Sequence, residues 1–262
     1  MKVVVVPCLR DNYAYLASTG APDAAGKINA FVVDPSEAAP VEAALAREGW
    51  TLVAVLATHH HLDHVGGITE LANAHAGLDV YAYEGDRDRI DGITQTVRDG
   101  DSRTIAGIDL DVRHIPGHTM GAIAWFAHGN PPAVFTGDTM FVAGCGRLFE
   151  GTPADMYRSL VEVLGSFPDE TQVYCGHEYT ESNLRFAAHV EPSNDAVRAW
   201  QQRAANLRAN GSPTVPSRLG DERRINPFMR SHTESVRAFT KLDAGTSPSD
   251  VLGAVRRAKD TF

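Results

Sequence analysis

A chain of 262 residues, 43% of them hydrophobic and 22% charged, has the make-up of an ordinary globular protein, with room for one large domain or a medium one with a small partner. A formal charge of −9 excludes a general polyanion-binding face, so no nucleic-acid partner is expected, and an anionic substrate would need a local basic pocket. Three widely spaced cysteines (Cys8, Cys145, Cys175) argue against a disulfide framework, and no apolar run reaches signal-peptide or membrane length, so the expectation is a cytoplasmic protein with no membrane partner.

Residues 3–6 and 13–17 read as paired strands across an Asp11-Asn12 turn. After an Ala- and Gly-rich loop, residues 30–33 form a third strand that closes on Asp34-Pro35-Ser36. Residues 40–48 are helical, with Val41, Ala44, Leu45 and Glu48 spaced by three and four. The apolar run 52–57 has the length of a buried strand, and residues 68–75 form a short helix begun after Gly66-Gly67. Another strand spans 78–83, followed by a charged segment, 84–91, expected to be exposed. Between 104 and 136 the pattern is strand, turn, strand, turn, strand. Residues 153–164 predict a helix capped by Thr152, with Pro153 at its first position and Met156, Leu160, Val163 and Leu164 on its buried face. The last core strand is 171–175. Beyond His177 only helices are expected, at 180–189, 196–209, 234–242 and 248–259, with a loop running from Asn210 through Arg230. This places a boundary near 177 between an α/β domain, 1–177, and a helical one, 178–262.

The chemistry concentrates at Thr58-His59-His60-His61-Leu62-Asp63-His64, on a turn that ends a core strand, where α/β proteins place their sites. His59 and His61 share a side in extended backbone, while Asp63 and His64 follow at the turn and can aim at a second point. This is not the His-Glu-x-x-His helix that converges on one ion, and two neighbouring metals are the better reading. Three further donors, His118, Asp138 and His177, each follow a strand and stand beside glycine. His60, His75, His114, His128, His189 and His232 fall outside the pattern.

The His-x-His-x-Asp-His motif with its later His, Asp and His resembles the metallo-β-lactamase superfamily. Within it the chain is similar, nearly end to end, to the glyoxalase II (hydroxyacylglutathione hydrolase) family. Gly144-Cys145-Gly146-Arg147, Cys175-Gly176-His177-Glu178-Tyr179-Thr180, Asn226-Pro227-Phe228-Met229-Arg230 and Arg256-Arg257-Ala258-Lys259-Asp260 carry that likeness. The resemblance implies an αββα sandwich followed by a small all-helical domain. It gives His59, His61 and His118 to one metal and Asp63, His64 and His177 to another, with Asp138 bridging. Asp63 and Asp138 are thereby expected at the catalytic centre, and Asp34 in support of the metal turn rather than on a metal.

The implied activity is hydrolysis of S-D-lactoylglutathione and related 2-hydroxyacyl-glutathione thioesters by a hydroxide shared between two divalent ions. Zinc is expected, with iron or manganese also suited to these donors. The resemblance also implies a glutathione pocket of Arg147, Phe149, Tyr179, Arg256 and Lys259 in a monomer. Arg147 replaces the lysine usual in the family, and Phe149 a tyrosine whose hydroxyl bonds the ligand. The competing reading is a mononuclear-iron persulfide dioxygenase or another hydrolase of the same fold. No cysteine or serine nucleophile is required; Cys145 and Cys175 are expected to be packing residues.

Overall fold

The structure, a computed structural model, describes residues 1–262 and divides into two units: Met1–His114 with Gly121–Gly137, and Ile115–Met120 with Asp138–Phe262. In the first unit six strands lie in chain order in one sheet: β1 (Lys2–Cys8), β2 (Asn12–Ser18), β3 (Ile28–Val33), β4 (Trp50–Leu56), β5 (Asp79–Tyr83) and β6 (Gln95–Val97). The first three are antiparallel and β3 to β6 are parallel. Parallel neighbours need crossovers: α1 (Ala38–Glu48) lies in the one from β3 to β4, the single turn α2 (Leu62–Val65) with α3 (Ile68–Ala74) in the one from β4 to β5, and residues 84–94 make the one from β5 to β6. The unit's second set of strands is an antiparallel meander, β7 (Ser102–Ile105), β8 (Ile108–His114), β9 (Ile123–Ala127) and β10 (Ala133–Gly137).

Successive strand residues face opposite ways, and here the alternation separates branched side chains from aromatic ones. Leu16, Val32 and Val55 turn towards Val41, Leu45 and Leu71 of the helices in one cluster. Tyr15 and Phe31 turn the other way, their ring centroids 5.6 and 6.3 Å from Phe135 of β10. Trp125 of β9 donates its indole N–H to Ala57 O at 3.1 Å, and Ile123 N donates to Thr58 O at 2.9 Å. The histidine turn therefore leaves β4 at a point fixed by both sheets. Each buried Val, Leu or Phe there contributes about 1.5–3 kcal/mol.

The second unit holds the small hairpin β11 (Met140–Phe141) and β12 (Gly144–Cys145), then α4 (Pro153–Tyr157). It continues with β13 (Gln172–Cys175), α5 (Thr180–Val190), α6 (Asp195–Ala209), β14 (Ser217–Arg218, antiparallel to β13), α7 (Leu219–Ile225), α8 (Glu234–Thr240) and α9 (Pro248–Asp260). Thr152 caps α4 as expected, accepting from Asp155 N at 3.2 Å while Asp155 Oδ2 accepts from Thr152 N at 2.8 Å. Along the chain, α5 packs on α6, and α9 on α4 and α8.

Several elements depart from the sequence reading. The helix expected over 153–164 is α-helical only to Tyr157; a π-turn follows over Arg158–Val163 and a 3-10 turn over Leu164–Ser166. Ser159 turns inward there to donate to Pro116 O at 2.7 Å, and the widened turn leaves Val163 half-buried rather than in the core. Strands β6 and β14 are too short for alternation to reveal them. Helix α7 occupies part of the expected loop; its buried face is Leu219, Glu222 and Ile225, so a carboxylate interrupts the apolar stripe that would have marked it. In the segment 84–91 most charges are exposed, but Asp86 is buried, 3.5 Å from His60 Nδ1 and 3.9 Å from Arg89.

Candidate metal centre

One buried carboxylate organises the histidine turn of the first unit. Asp34, 2% exposed, accepts from Thr58 N at 2.8 Å through Oδ1 and from the Thr58 hydroxyl at 2.6 Å through Oδ2. The same Oδ2 lies 2.9 Å from His64 Nδ1, and Thr58 Oγ1 lies 3.0 Å from His59 Nδ1. Since Thr58 gives its proton to Asp34, its oxygen accepts from His59 Nδ1–H. His59 and His64 are thereby both held in the tautomer that presents Nε2 as a lone pair. The ligand atoms of Asp34, His59 and His64 lie within 4.8 Å of one another. Both Asp34 oxygens are already engaged by the turn, so Asp34 supports the donors. Gly137 is required for this arrangement: it has φ +48, and a Cβ there would collide with the Thr58 hydroxyl.

The remaining donors of this unit converge in the same way. His59 Nε2 and His61 Nδ1 are 3.1 Å apart. Two nitrogens bound to one ion at about 2.0–2.1 Å in a tetrahedral site stand roughly 3.3 Å apart, so this pair fits a shared metal. Asp63 is held from two sides, by Asn12 Nδ2 at 3.0 Å from both its carbonyl and its Oδ2, and by Ser36 Oγ at 2.5 Å from its carbonyl. Its Oδ2 lies 3.7 Å from His64 Nε2. Asn12 and Ser36 were missed in the sequence; they lie 51 and 27 positions away from Asp63, with no local signal.

The second unit gathers the other three donors around one oxygen. Asp138 Oδ2 lies 3.3 Å from His177 Nε2 and 3.6 Å from His118 Nε2. His118 Nδ1 donates to Arg147 O at 2.9 Å, which again leaves Nε2 for a metal. His177 is held by stacking on Tyr179, centroids 4.7 Å apart and 5° from parallel, with Phe141 edge-on to both. Gly146 allows the chain to close over the pair, because a Cβ there would strike Asp138 O and sit 2.9 Å from His118 Nδ1.

His118 and Asp138 open into a cavity of about 530 Å³ within this unit. Arg147, Phe149, Tyr179, Arg256 and Lys259 line it, as do Cys145, Ser182, Asn183, Arg185 and Phe262. Arg147, Arg185, Arg256 and Lys259 give it a cationic wall in an acidic protein. Arg256 and Lys259 are not a solvated helix end. Arg256 is 4% exposed and bonded through Nη1 to Cys145 O at 2.7 Å and through Nη2 to Asp260 at 3.2 Å. Lys259 Nζ donates to Asn183 Oδ1 at 2.6 Å, and burial, with Arg256 beside it, lowers its ammonium pKa to about 8. Phe149 is exposed, its ring 5.2 Å from that of His118. The cysteines are free and buried. Burial raises the thiol pKa of Cys145, partly opposed by Arg256, and pushes Cys175 up to about 12.

The comparisons with known proteins agree along the whole chain. A family model described as the metallo-β-lactamase superfamily matches residues 26–177, and one described as the hydroxyacylglutathione hydrolase C-terminus matches residues 178–262. A hydroxyacylglutathione hydrolase of Cupriavidus taiwanensis is 46% identical, over 100% of this chain and 99% of that protein. Among solved structures, ETHE1 from Myxococcus xanthus superposes with a TM-score of 0.63 at 23% identity, covering 99% of this chain and 100% of that one. The protein TTHA1623 in a di-iron-bound form gives 0.58 at 25% identity, covering 87% and 100%.

Proposed function

The chain belongs to the hydroxyacylglutathione hydrolase (glyoxalase II) family, and from that premise we propose how its residues share the reaction. It has the metallo-β-lactamase αββα fold with a helical C-terminal segment, binds divalent metal and hydrolyses glutathione thioesters. The proposal adds the ligand assignment, the number of ions and the substrate. His59, His61 and His118 hold one ion, Asp63, His64 and His177 a second, and Asp138 serves both. Residues 1–177 form the catalytic part and 178–262 the glutathione-binding part of a cytoplasmic monomer acting on S-D-lactoylglutathione. No helix is long and apolar enough to cross a membrane. Imidazole and carboxylate donors suit zinc, iron and manganese alike, and zinc is the ion proposed.

When bound, such a pair of ions polarises the thioester carbonyl and lowers the pKa of water from 15.7 towards about 7, so that a nucleophile is available at neutral pH. The chain's own residues do the rest. The Asp34–Thr58 relay keeps His59 and His64 with Nε2 unprotonated, and Arg147 O does the same for His118. The departing group is a thiolate, with a parent thiol pKa near about 8.5, and needs little protonation, so no general acid is required at the leaving sulfur. Cys145 and Cys175, their thiols held protonated by burial, take no covalent part.

The observation that carries this reading is the cationic cavity opening directly onto His118 and Asp138. Glutathione has two carboxylates and a peptide stem. Arg147, Arg256 and Lys259 complement the charges, and Phe149 and Tyr179 flank the stem. With Phe149 in place of a tyrosine, this contact is apolar. The test compares S-D-lactoylglutathione with the same acyl group on a small uncharged thiol. The parent should favour the glutathione ester by at least about tenfold in kcat/KM, since one charge-assisted hydrogen bond is worth about 1.5–3 kcal/mol. Equal kcat/KM for both would remove glutathione from the reading.

A further inference from the structure

The run Asn226-Pro227-Phe228-Met229-Arg230 stands out in the sequence, yet none of its residues lines the cavity or supplies a donor. Asn226 is fully buried, and its carboxamide orientation is fixed: Oδ1 accepts from Phe228 N at 3.1 Å, so Nδ2 is the donor. Nδ2 lies 2.9 Å from Gly144 O, 3.3 Å from Phe141 O and 3.0 Å from Glu222 Oε2. Glu222, also fully buried, accepts at that same Oε2 from Ala143 N at 2.9 Å. Asn183 donates to Val142 O at 3.0 Å, and Arg256 to Cys145 O at 2.7 Å. Side chains from α5, α7, α9 and the Asn226 loop thus occupy the backbone of the β11–β12 hairpin from Phe141 to Cys145. Ala143, in that hairpin, is held at φ +53, a left-handed conformation that a non-glycine residue keeps only where its surroundings impose it.

Two strands of two residues do not hold themselves together, and both ends of this hairpin bear on metal donors. Asp138 lies two residues before β11. Gly146, directly after β12, donates to Thr139 O at 3.3 Å and runs so close to Asp138 O and His118 Nδ1 that a Cβ would strike them, and the next carbonyl, Arg147 O, accepts from His118 Nδ1 at 2.9 Å. A shift of the hairpin is therefore passed to the backbone of Asp138 and to the bond that fixes the His118 tautomer. We propose that Asn226, seated by Glu222, is a positioning residue for hydrolysis: it holds the hairpin so that Asp138 Oδ2 and His118 Nε2 face the metal centre. This rests on the reading of the chain as a metal-dependent thioester hydrolase.

The test is Asn226→Ala in the full chain, read three ways: thermal midpoint, zinc affinity of the apoprotein by competition with a chromogenic chelator, and kcat and KM per metal-loaded chain well below the midpoint. The expected result is a kcat at least about tenfold lower with KM within about threefold, and zinc affinity about 10–100-fold weaker. A lower midpoint with kcat and zinc affinity at parent values would overturn the proposal and leave Asn226 a packing residue. If Asn226→Ala yields no folded protein, Asn183→Ala, which releases Val142 O of the same hairpin, is read by kcat and zinc affinity with the same deciding outcomes. A parent that releases no thiol would refute the hydrolase reading, while the zinc comparison would still decide the positioning role.

Discussion

Raising the pH through 8 should weaken the binding of a glutathione thioester through one lysine. Burial, and next to it the Arg256 guanidinium, lower the Lys259 ammonium to about 8 from its usual 10.5, with Arg185 acting in the same direction and Asp260 and Cys145 against it. The depressed value means that the charge is present below pH 8 and lost above it. Only the ammonium pairs with a carboxylate, so KM should grow as 1 + 10^(pH − 8), about twofold at pH 8 and about elevenfold at pH 9. The contact is remote from the scissile bond and equal in ground and transition states, so kcat should stay level. The assay is initial thiol release over a range of thioester concentrations from pH 6.5 to 9.5, corrected for spontaneous hydrolysis. Lys259→Arg should flatten the rise, because a guanidinium does not titrate in this range. Lys259→Met should begin with KM raised about tenfold or more, and then show no further rise. A parent KM that stays flat to pH 9, or an unchanged rise in Lys259→Met, refutes the assignment of Lys259 to the substrate carboxylate.

Other perturbations test separate parts of the structure. Burial pushes the Glu222 carboxyl up to about 7 from 4.5, so the folded state holds its proton more tightly than the unfolded one. The stability of the parent relative to Glu222→Gln should therefore fall between pH 4.5 and 7 by up to about 3 kcal/mol and then level off; a difference in urea midpoints that does not change with pH contradicts this. Asp34→Asn should loosen zinc by about 10–100-fold in chelator competition, since it removes the acceptor that sets two histidine tautomers, and unchanged affinity would reduce Asp34 to a turn residue. Replacing both Cys145 and Cys175 by alanine should leave turnover within about tenfold of the parent. A loss of several orders of magnitude with metal still bound would make one of them a nucleophile.

The legible parts of the molecule were those written in local pattern. Strands β1 to β5 and helices α1, α3, α5, α6, α8 and α9 announce themselves by apolar spacing, and Thr152 and Pro153 by capping chemistry. The seven candidate donors stand out because each follows a strand beside glycine or lies in one short turn. What the sequence hid is long-range polar chemistry. Nothing near Asn12 or Ser36 says that they hold Asp63, and nothing in α7 says that Glu222 faces inward to meet Ala143 N. Asp86 reads as one more charge in an exposed run until its neighbours His60 and Arg89 are placed. The family resemblance put Arg256 and Lys259 at the substrate; only the structure shows that each also bonds within the protein, to Cys145 O and to Asn183, while lining the cavity.

The most direct measurement joins metal content to thiol release. Protein purified without chelator is assayed for zinc, iron and manganese together, then stripped and reloaded stepwise while hydrolysis of S-D-lactoylglutathione is followed. The predicted result is about two metal ions per chain in the purified protein, and activity that reaches its plateau only as the second equivalent is added. Asp138→Ala, lacking the proposed shared ligand, should lose activity at every loading. A stable, fully active protein with one ion per chain would contradict the dinuclear assignment, and metal-loaded protein that released no thiol from the glutathione ester would contradict the hydrolase itself.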